Sequence, residues 1–172
     1  MLIRLAGATL AILFSTCAAH AEVTAKAPDG FAIHISSMVK LDRDGAWARL
    51  VDIASWWNGS HTYSGDAKAL SLNAEAGGCW CELWSGGEVE HGVVVAVMPR
   101  DLLRVSAAFG PLQQMGVSGA LTFQLADGPE VGTTKLTVDY KVSGSSVSAL
   151  DKVAAAVDEV ISEQVARLAA GK

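Results

Sequence analysis

Apolar and polar side chains alternate along most of the chain between residues 31 and 142, which is the period of strands that bury one face. In the first such segment, Phe31 to Leu41, all but one of the odd-numbered positions are apolar. Because polar residues occupy the opposite face of each segment, the pattern favours an antiparallel sheet with one solvent-exposed side. We predict seven strands, the other six lying at residues 69–73, 79–84, 89–98, 102–109, 119–125 and 132–142.

Apolar spacing of three and four residues predicts helices in two regions of the chain. Asp42 is a suitable N-cap for a short helix that continues to about Ile53, and Ser55-Trp56-Trp57 is expected to form a second helical turn. Near the C-terminus, apolar residues recur at helical spacing from Val147 to Ala170, as in a long amphipathic helix. The order of these elements predicts an α+β fold in which a curved antiparallel sheet wraps around the long C-terminal helix.

The first residues follow a different pattern, that of a secretory signal peptide. Arg4 is followed by about ten apolar residues, and Ala19-His20-Ala21 supplies small residues for cleavage before Glu22. The apolar run is about half of what a helix needs to cross a bilayer, so we expect no stable membrane insertion. We predict a signal peptide at residues 1–21, an irregular leader at 22–29 and one domain at 30–172 of a periplasmic or secreted protein.

Charge argues against two classes of partner. The chain has 13 basic and 18 acidic residues, a formal net charge of −5 at pH 7, and no run of basic residues. Nucleic acids and anionic membrane surfaces recruit proteins through clustered lysine and arginine, so we expect neither as a partner. The sequence also lacks the spacing of a phosphate-binding loop, a serine-nucleophile elbow or a zinc site, and we expect no cofactor and no resident metal.

Two cysteines, Cys79 and Cys81, lie beyond the predicted signal peptide, in a compartment where disulfides form. Residues two apart on a regular strand have Cα atoms about 6.6 Å apart and roughly parallel side chains. A disulfide needs Cβ atoms about 4 Å apart, so we expect two separate thiols. The alternatives are a bridge across a local kink, an intermolecular disulfide, and a Cu(I) site built on the two thiolates.

Four motifs occur in a recognisable order along residues 30–170. They are a strand leading into a tryptophan-bearing helix, a tryptophan pair, a glycine pair before a strand, and a glycine-led last strand: Val39–Leu41 with Ala46–Asp52, Trp56-Trp57, Ala76-Gly77-Gly78 and Gly132–Leu136. In this order they resemble the START-like superfamily of helix-grip proteins. That superfamily includes polyketide cyclases, plant pathogenesis-related allergens and bacterial homologues of a chaperone-ATPase activator.

The resemblance implies an internal, mostly apolar cavity between the curled sheet and the final helix. Two features depart from the family pattern. Asp42-Arg43-Asp44 stands where the family often has two prolines, and Cys79-Trp80-Cys81 is not one of its usual elements. Since the fold carries enzymes, lipid carriers and proteins of other kinds, it does not by itself specify a chemistry.

Candidates for ligand binding are the residues that alternation turns inward and those of neighbouring loops. They are Trp57, Tyr63, His91, Val93, Val95, Val105, Phe109, Met115, Phe123 and Tyr140. Most of the inward set is also what an ordinary core requires. His91 shares its predicted face with Val93 and Val95, and a buried imidazole needs a polar partner. It is therefore either a structural histidine or a ligand anchor and proton acceptor.

Loops supply the rest of the candidate site. His61 and Tyr63 lie in a glycine- and serine-rich loop after the tryptophan pair and are candidates for a cavity mouth, or ordinary surface residues. Met115 lies in an irregular link, residues 111–119, which is either a lid over the cavity or a simple connection.

These observations favour an exported protein that binds a small hydrophobic molecule or lipid without catalysis. One alternative is a cyclase- or hydratase-like enzyme with His91 or Tyr140 as the acid or base. The other is a protein-interaction module, which exposed Trp80 and Trp84 or a crosslinked partner would favour and a fully buried pair would count against.

Overall fold

The computed structural model describes residues 20–171. In chain order its strands are β1 (His20–Ala27), β2 (Gly30–Val39), β3 (Leu70–Leu72), β4 (Cys79–Trp84), β5 (Gly87–Met98), β6 (Leu102–Ala107), β7 (Ser118–Asp127) and β8 (Thr134–Ser143). They form one antiparallel sheet in the order β1-β2-β8-β7-β6-β5-β4-β3. The α-helices are α1 (Arg43–Val51), α2 (Pro111–Gln114) and α3 (Ala154–Ala170), and short 3₁₀ turns lie at Ile53–Ser55, Gly59–His61, Ala67–Ala69, Ser146–Ser148 and Leu150–Lys152.

The predicted α+β class, antiparallel sheet and C-terminal helix are confirmed. All seven predicted strands are present, with ends that differ by a few residues; β2, for example, ends at Val39 and β6 at Ala107. No helix in the described part of the chain is both long enough and apolar enough to cross a bilayer.

An eighth strand, β1, occupies residues that we expected to be an irregular leader. It pairs with β2 from His20 opposite Ser36 to Ala27 opposite Gly30. The side chains of residues 22–27 are largely exposed, with Val23 partly buried against the core, so their hydrophobic pattern carried no strand signal. Backbone pairing at the sheet edge makes the strand instead. The predicted signal peptide lies outside the described residues except for residues 20 and 21, so its cleavage stays a prediction.

Helices α1 and α3 lie near the predicted positions, but the helical turn predicted at Ser55-Trp56-Trp57 is a 3₁₀ turn two residues earlier, at Ile53–Ser55. Asp42 caps α1 as predicted, since its side chain accepts a hydrogen bond from the Gly45 N–H at 2.9 Å. The C-terminal helix is shorter than predicted because Ala149 takes a left-handed conformation, with φ of 49°, between two 3₁₀ turns. Regular helix begins at Ala154, and α3 then packs against β1 and β2.

Side chains of α3 form hydrogen bonds to the backbone of the segment between α1 and β3 and hold that segment in place. Arg167 donates from Nε to the Trp56 carbonyl at 2.8 Å, and the Asn58 N–H donates to Oε1 of Gln164 at 2.7 Å. Trp56 is buried and donates from Nε1 to the Leu50 carbonyl at 3.2 Å. Together these contacts fix where the chain continues into the loop at residues 60–63.

Two bulges in β5 change which of its residues face the core. Trp80 of β4 pairs with Gly92 and Cys81 with Glu90, so His91 is the extra residue of the first bulge. Since a bulge sets two residues of one strand against one of its partner, it inverts the alternation that follows. Val94 is therefore fully buried, and the predicted inward orientation of Val93 is wrong.

The second bulge lies between Val94 and Ala96, which pair with Val105 and Arg104. Val95 is its extra residue and is 52% exposed, so the predicted inward orientation of Val95 is also wrong. The alternation could not reveal either bulge, because from Val93 to Met98 apolar residues occupy both faces of this strand.

The expectation of two separate thiols is corrected as well, since Cys79 and Cys81 form a disulfide. Their Cα atoms are 5.4 Å apart, closer than two residues of a regular strand. The register shift between Trp80 and Cys81 supplies the local kink that a bridge at this spacing needs.

Candidate functional site

A cavity of about 560 Å³ opens between α3, α2, the loop at residues 60–63 and the inner face of β4 and β5. Its deepest surface is aromatic. The rings of Trp57 and Trp80 lie 5.2 Å apart between centroids, and that of Phe109 lies 5.1 Å from Trp80 and 5.9 Å from Trp57. We call these three side chains the aromatic floor. Trp57 and Trp80 are buried and line the cavity together with Phe109, so this part of its wall is built from aromatic side chains.

Helices form the wall of the cavity opposite the sheet. The side of α3 that faces the cavity carries Val157, Val160 and Ile161. Val160 and Ile161 lie three and four residues after Val157, so all three share one face of the helix. From the other side α2 contributes Leu112, and Met115 follows it directly. The link expected to be irregular is thus a short helix at the edge of the cavity.

The mouth of the cavity is formed by His61 and Tyr63, both exposed. Tyr63 donates a hydrogen bond from its hydroxyl to the Gly110 carbonyl at 3.3 Å, which joins this loop to the start of α2. Glu163 of α3 accepts from Nδ2 of Asn58 at 2.5 Å and lies 3.1 Å from Nε2 of His61. The hydrogen bond from Asn58 lowers the pKa of the Glu163 carboxyl, and His61 lowers it further. Burial acts in the opposite direction but is outweighed.

A buried carboxylate and an imidazole form the polar part of the site. Nε2 of His91 lies 2.9 Å from Oε2 of Glu82, with 0% of the Glu82 side chain and 6% of the His91 side chain exposed. Glu82 also accepts hydrogen bonds from the N–H groups of Tyr63, at 3.0 Å, and Ser64, at 2.5 Å. His91 lines the cavity, and Glu82 stands behind it.

Glu82 stays ionised in this buried position. Burial by itself raises the pKa of its carboxyl, but hydrogen bonds from Ser64, Tyr63 and His91 outweigh that effect and leave the pKa below its ordinary value of 4.5. A buried carboxylate with three donors is satisfied, and it provides the partner that a buried imidazole requires.

The structure brings half of the ten candidate residues together. Five of them line the cavity: Trp57, Tyr63, His91, Phe109 and Met115. The other five do not. Val93 and Val95 are turned away by the bulges of β5, while Val105, Phe123 and Tyr140 are buried in the core between sheet and helices.

Tyr140 is packed rather than available to a ligand. Its hydroxyl donates to the Ala107 carbonyl at 3.1 Å, and its ring contacts Phe109 with 5.8 Å between centroids. Burial raises the pKa of this phenol well above its ordinary value, so it stays neutral. Of the two residues considered for acid or base chemistry, His91 is the one at the cavity.

Sequence reasoning missed Glu82 and the role of Trp80. Both are buried, whereas Trp84 on the same face is partly exposed. The signal was present in the alternation of Trp80, Glu82 and Trp84, since a carboxylate on a strand face with two tryptophans needs buried partners. Trp80 belongs to the aromatic floor and Trp84 is partly exposed, so the protein-interaction alternative loses one of its two tryptophans.

Within residues 20–171 no group of three or more histidine, cysteine, aspartate or glutamate side chains is placed to hold a metal ion. The Cys79 and Cys81 sulfurs are bonded to each other, so they do not form the thiolate pair of a Cu(I) site.

Solved structures share this fold at low sequence identity. MLL2253 from Mesorhizobium loti is 12% identical, with a TM-score of 0.58 over 80% of this chain and 93% of its own. A protein from Rhodobacter sphaeroides is 18% identical, with a TM-score of 0.55 over 88% and 97%. The TM-scores show a common fold, and at this level of sequence identity the likeness extends to the fold alone.

A third fold relative is DynU16, a protein of the dynemicin biosynthetic locus. It is 22% identical, with a TM-score of 0.51 over 80% of this chain and 45% of DynU16, so this chain spans less than half of that protein. No protein-family model matches the sequence, and no curated protein matches it.

Proposed function

We propose that this chain is a START-like helix-grip protein that holds a small, largely apolar molecule in the cavity between α3 and the sheet. The occupant is a hydrophobic small molecule or a lipid with a ring system that fits against the aromatic floor. Binding takes place outside the cytoplasm, a part of the proposal that rests on the predicted signal peptide.

The observation that carries this proposal is the aromatic floor within a cavity of about 560 Å³. Ligand sites in proteins have about 300–1,000 Å³ and are mostly apolar with a few polar groups. Packing defects in a close-packed core are much smaller than this. A surface of Trp57, Trp80 and Phe109 inside a cavity of ligand size therefore favours an apolar occupant.

The fold relatives support the proposal at a coarser level. DynU16 belongs to a biosynthetic locus for dynemicin. That setting is compatible with a fold used for small molecules.

Filling the cavity from α3 tests the proposal. We expect Val157→Phe, which adds a ring to the cavity wall, to weaken binding of the apolar fluorophore N-phenyl-1-naphthylamine by about tenfold or more, equivalent to about 1.4 kcal/mol. The matched control is Ala166→Phe, because Ala166 is exposed on the same helix and does not line the cavity. That control should bind within about twofold of the unmodified protein.

Fluorescence titration gives the dissociation constants, and circular dichroism shows whether both variants are folded. A folded Val157→Phe variant that binds the fluorophore as tightly as the unmodified protein would overturn the cavity as the binding site.

A further inference from the structure

The two nitrogens of His91 have different environments. Nε2 is hydrogen-bonded to Glu82, which lies behind the cavity wall, whereas the ring of His91 itself lines the cavity. The ring also packs near two other lining residues, Tyr63 at 5.9 Å and Phe109 at 6.3 Å between centroids. Nδ1 makes no hydrogen bond to any residue in the described range 20–171. The geometry makes Nδ1 the polar atom that His91 offers to the cavity.

Glu82 determines which nitrogen carries the proton. An ionised carboxylate accepts hydrogen bonds and donates none, so the contact at 2.9 Å requires a proton on Nε2 of His91. In the neutral form of the imidazole, which has one N–H, a proton on Nε2 leaves Nδ1 as a hydrogen-bond acceptor. In that form the cavity presents an acceptor beside the aromatic floor.

We propose that His91, oriented by Glu82, recognises a hydroxyl on an aromatic or enolic ring, so that the ligand is a phenol or enol with an otherwise apolar body. This inference rests on the proposed function and adds the polar group that the ligand carries. A planar ring stacks against Trp57, Trp80 or Phe109 while its hydroxyl donates to Nδ1. Glu82 is a positioning residue, since it acts on the ligand through His91.

Charge decides between a neutral hydroxyl and an acid. A carboxylic acid is ionised at neutral pH, and its anion would lie near the buried carboxylate of Glu82, with Glu163 at the mouth adding a second negative charge. A phenol or enol is neutral and a stronger donor than an aliphatic alcohol. It satisfies Nδ1 without burying a further charge.

A matched pair of probes tests the inference by isothermal titration calorimetry. We expect 2-naphthol to bind the full chain about tenfold more tightly than 2-methoxynaphthalene, which has the same ring but no donor; a hydrogen bond of this kind contributes about one factor of ten. The double variant Glu82→Gln/His91→Phe, which keeps a ring and removes the buried charge, should bind both probes with similar affinity. The matched control is His34→Phe, which should keep the preference because His34 is exposed on β2 beside Asp139 and does not line the cavity.

Nitrogen-15 NMR of the histidine rings provides a readout that does not depend on a variant. In the unmodified protein we expect the proton of His91 on Nε2, and a shift of the Nδ1 resonance with 2-naphthol that 2-methoxynaphthalene does not produce. Glu82→Gln should give a mixture of the two neutral tautomers, since an amide can donate as well as accept.

The outcomes separate the two proposals. Equal affinity of the unmodified protein for both probes, or a proton on Nδ1, overturns the role of His91 and leaves the cavity as a binding site. Retention of the preference in the double variant, or its loss in His34→Phe, also overturns that role. If neither probe binds at all, the proposed function fails together with this inference.

Discussion

Glu82 is the residue that couples the stability of this protein to its site. Its carboxylate has no exposed surface and accepts hydrogen bonds from Tyr63, Ser64 and His91. A buried charge with all its partners is tolerated, but removal of the charge or of one partner leaves polar groups unsatisfied. The same interactions therefore hold the mouth loop in place and orient the imidazole in the cavity.

We expect Glu82→Gln to destabilise the protein by about 3 kcal/mol at neutral pH, because the substitution removes a buried charge from its hydrogen-bond partners. The folded pKa of Glu82 lies below its ordinary value of 4.5. Its contribution to the free energy of unfolding is therefore complete above about pH 4.5 and is lost as the pH falls through the folded pKa. The difference between the unmodified protein and Glu82→Gln should shrink with acidification below that point.

Urea unfolding between about pH 7 and pH 3 measures this difference. Glu90→Gln is the matched control, since Glu90 is exposed on the strand that carries His91, and its effect should stay below about 0.5 kcal/mol at every pH. A Glu82→Gln difference that grows as the pH falls would show that the carboxylate is not stabilised in its ionised form.

Among the elements, the pair β4 and β5 departs most from regular structure. His91 lies inward at the first bulge, and the Cys79–Cys81 disulfide lies on the facing strand where the register shifts. Bulges that redirect a side chain are common beside functional sites. We infer that the disulfide stabilises the local geometry of β4 opposite the bulge.

The loop closed by this disulfide is very short, so its stabilising effect should be small. In the chain-entropy model a loop of about three residues contributes about 1.5 kcal/mol. We expect Cys79→Ser/Cys81→Ser to lower the free energy of unfolding by about that amount, and a thiol reductant to have a similar effect on the unmodified protein. The double serine variant is its own control, because the reductant should leave it unchanged. A loss above about 4 kcal/mol, or no response of the unmodified protein to the reductant, would contradict this.

Element-level features with a clear period were predictable from the sequence, and features that break the period were not. The strands of the sheet and the Asp42 cap follow from alternation and capping chemistry. The predicted orientation of Val93 and Val95 was wrong because each bulge shifts the alternation by one residue. The apolar residues from Val93 to Met98 give no sign of these shifts. The sequence did not predict β1, because this strand is formed by backbone pairing with β2 and not by a pattern in its own side chains.

The candidate site was predictable only in part, for a physical reason at the scale of the whole molecule. Trp57, Tyr63, His91, Phe109 and Met115 could be found as aromatic, polar or flexible residues near predicted strand ends. The contact of Glu82 with His91 depends on strand register, and the helical wall depends on how α3 packs over the sheet. No local pattern encodes those long-range arrangements.

At the scale of the whole molecule, we propose that the sheet, the helices and the mouth loop together enclose a site for a small apolar molecule. Native mass spectrometry of the full-length gene product, recovered from cells, tests that claim most directly. We expect the protein to carry a noncovalent mass of small-molecule size that solvent extraction releases, and the folded Val157→Phe variant to carry less of it. A protein that carries no such mass, and whose Tm no member of a panel of apolar ring compounds raises, would contradict the account.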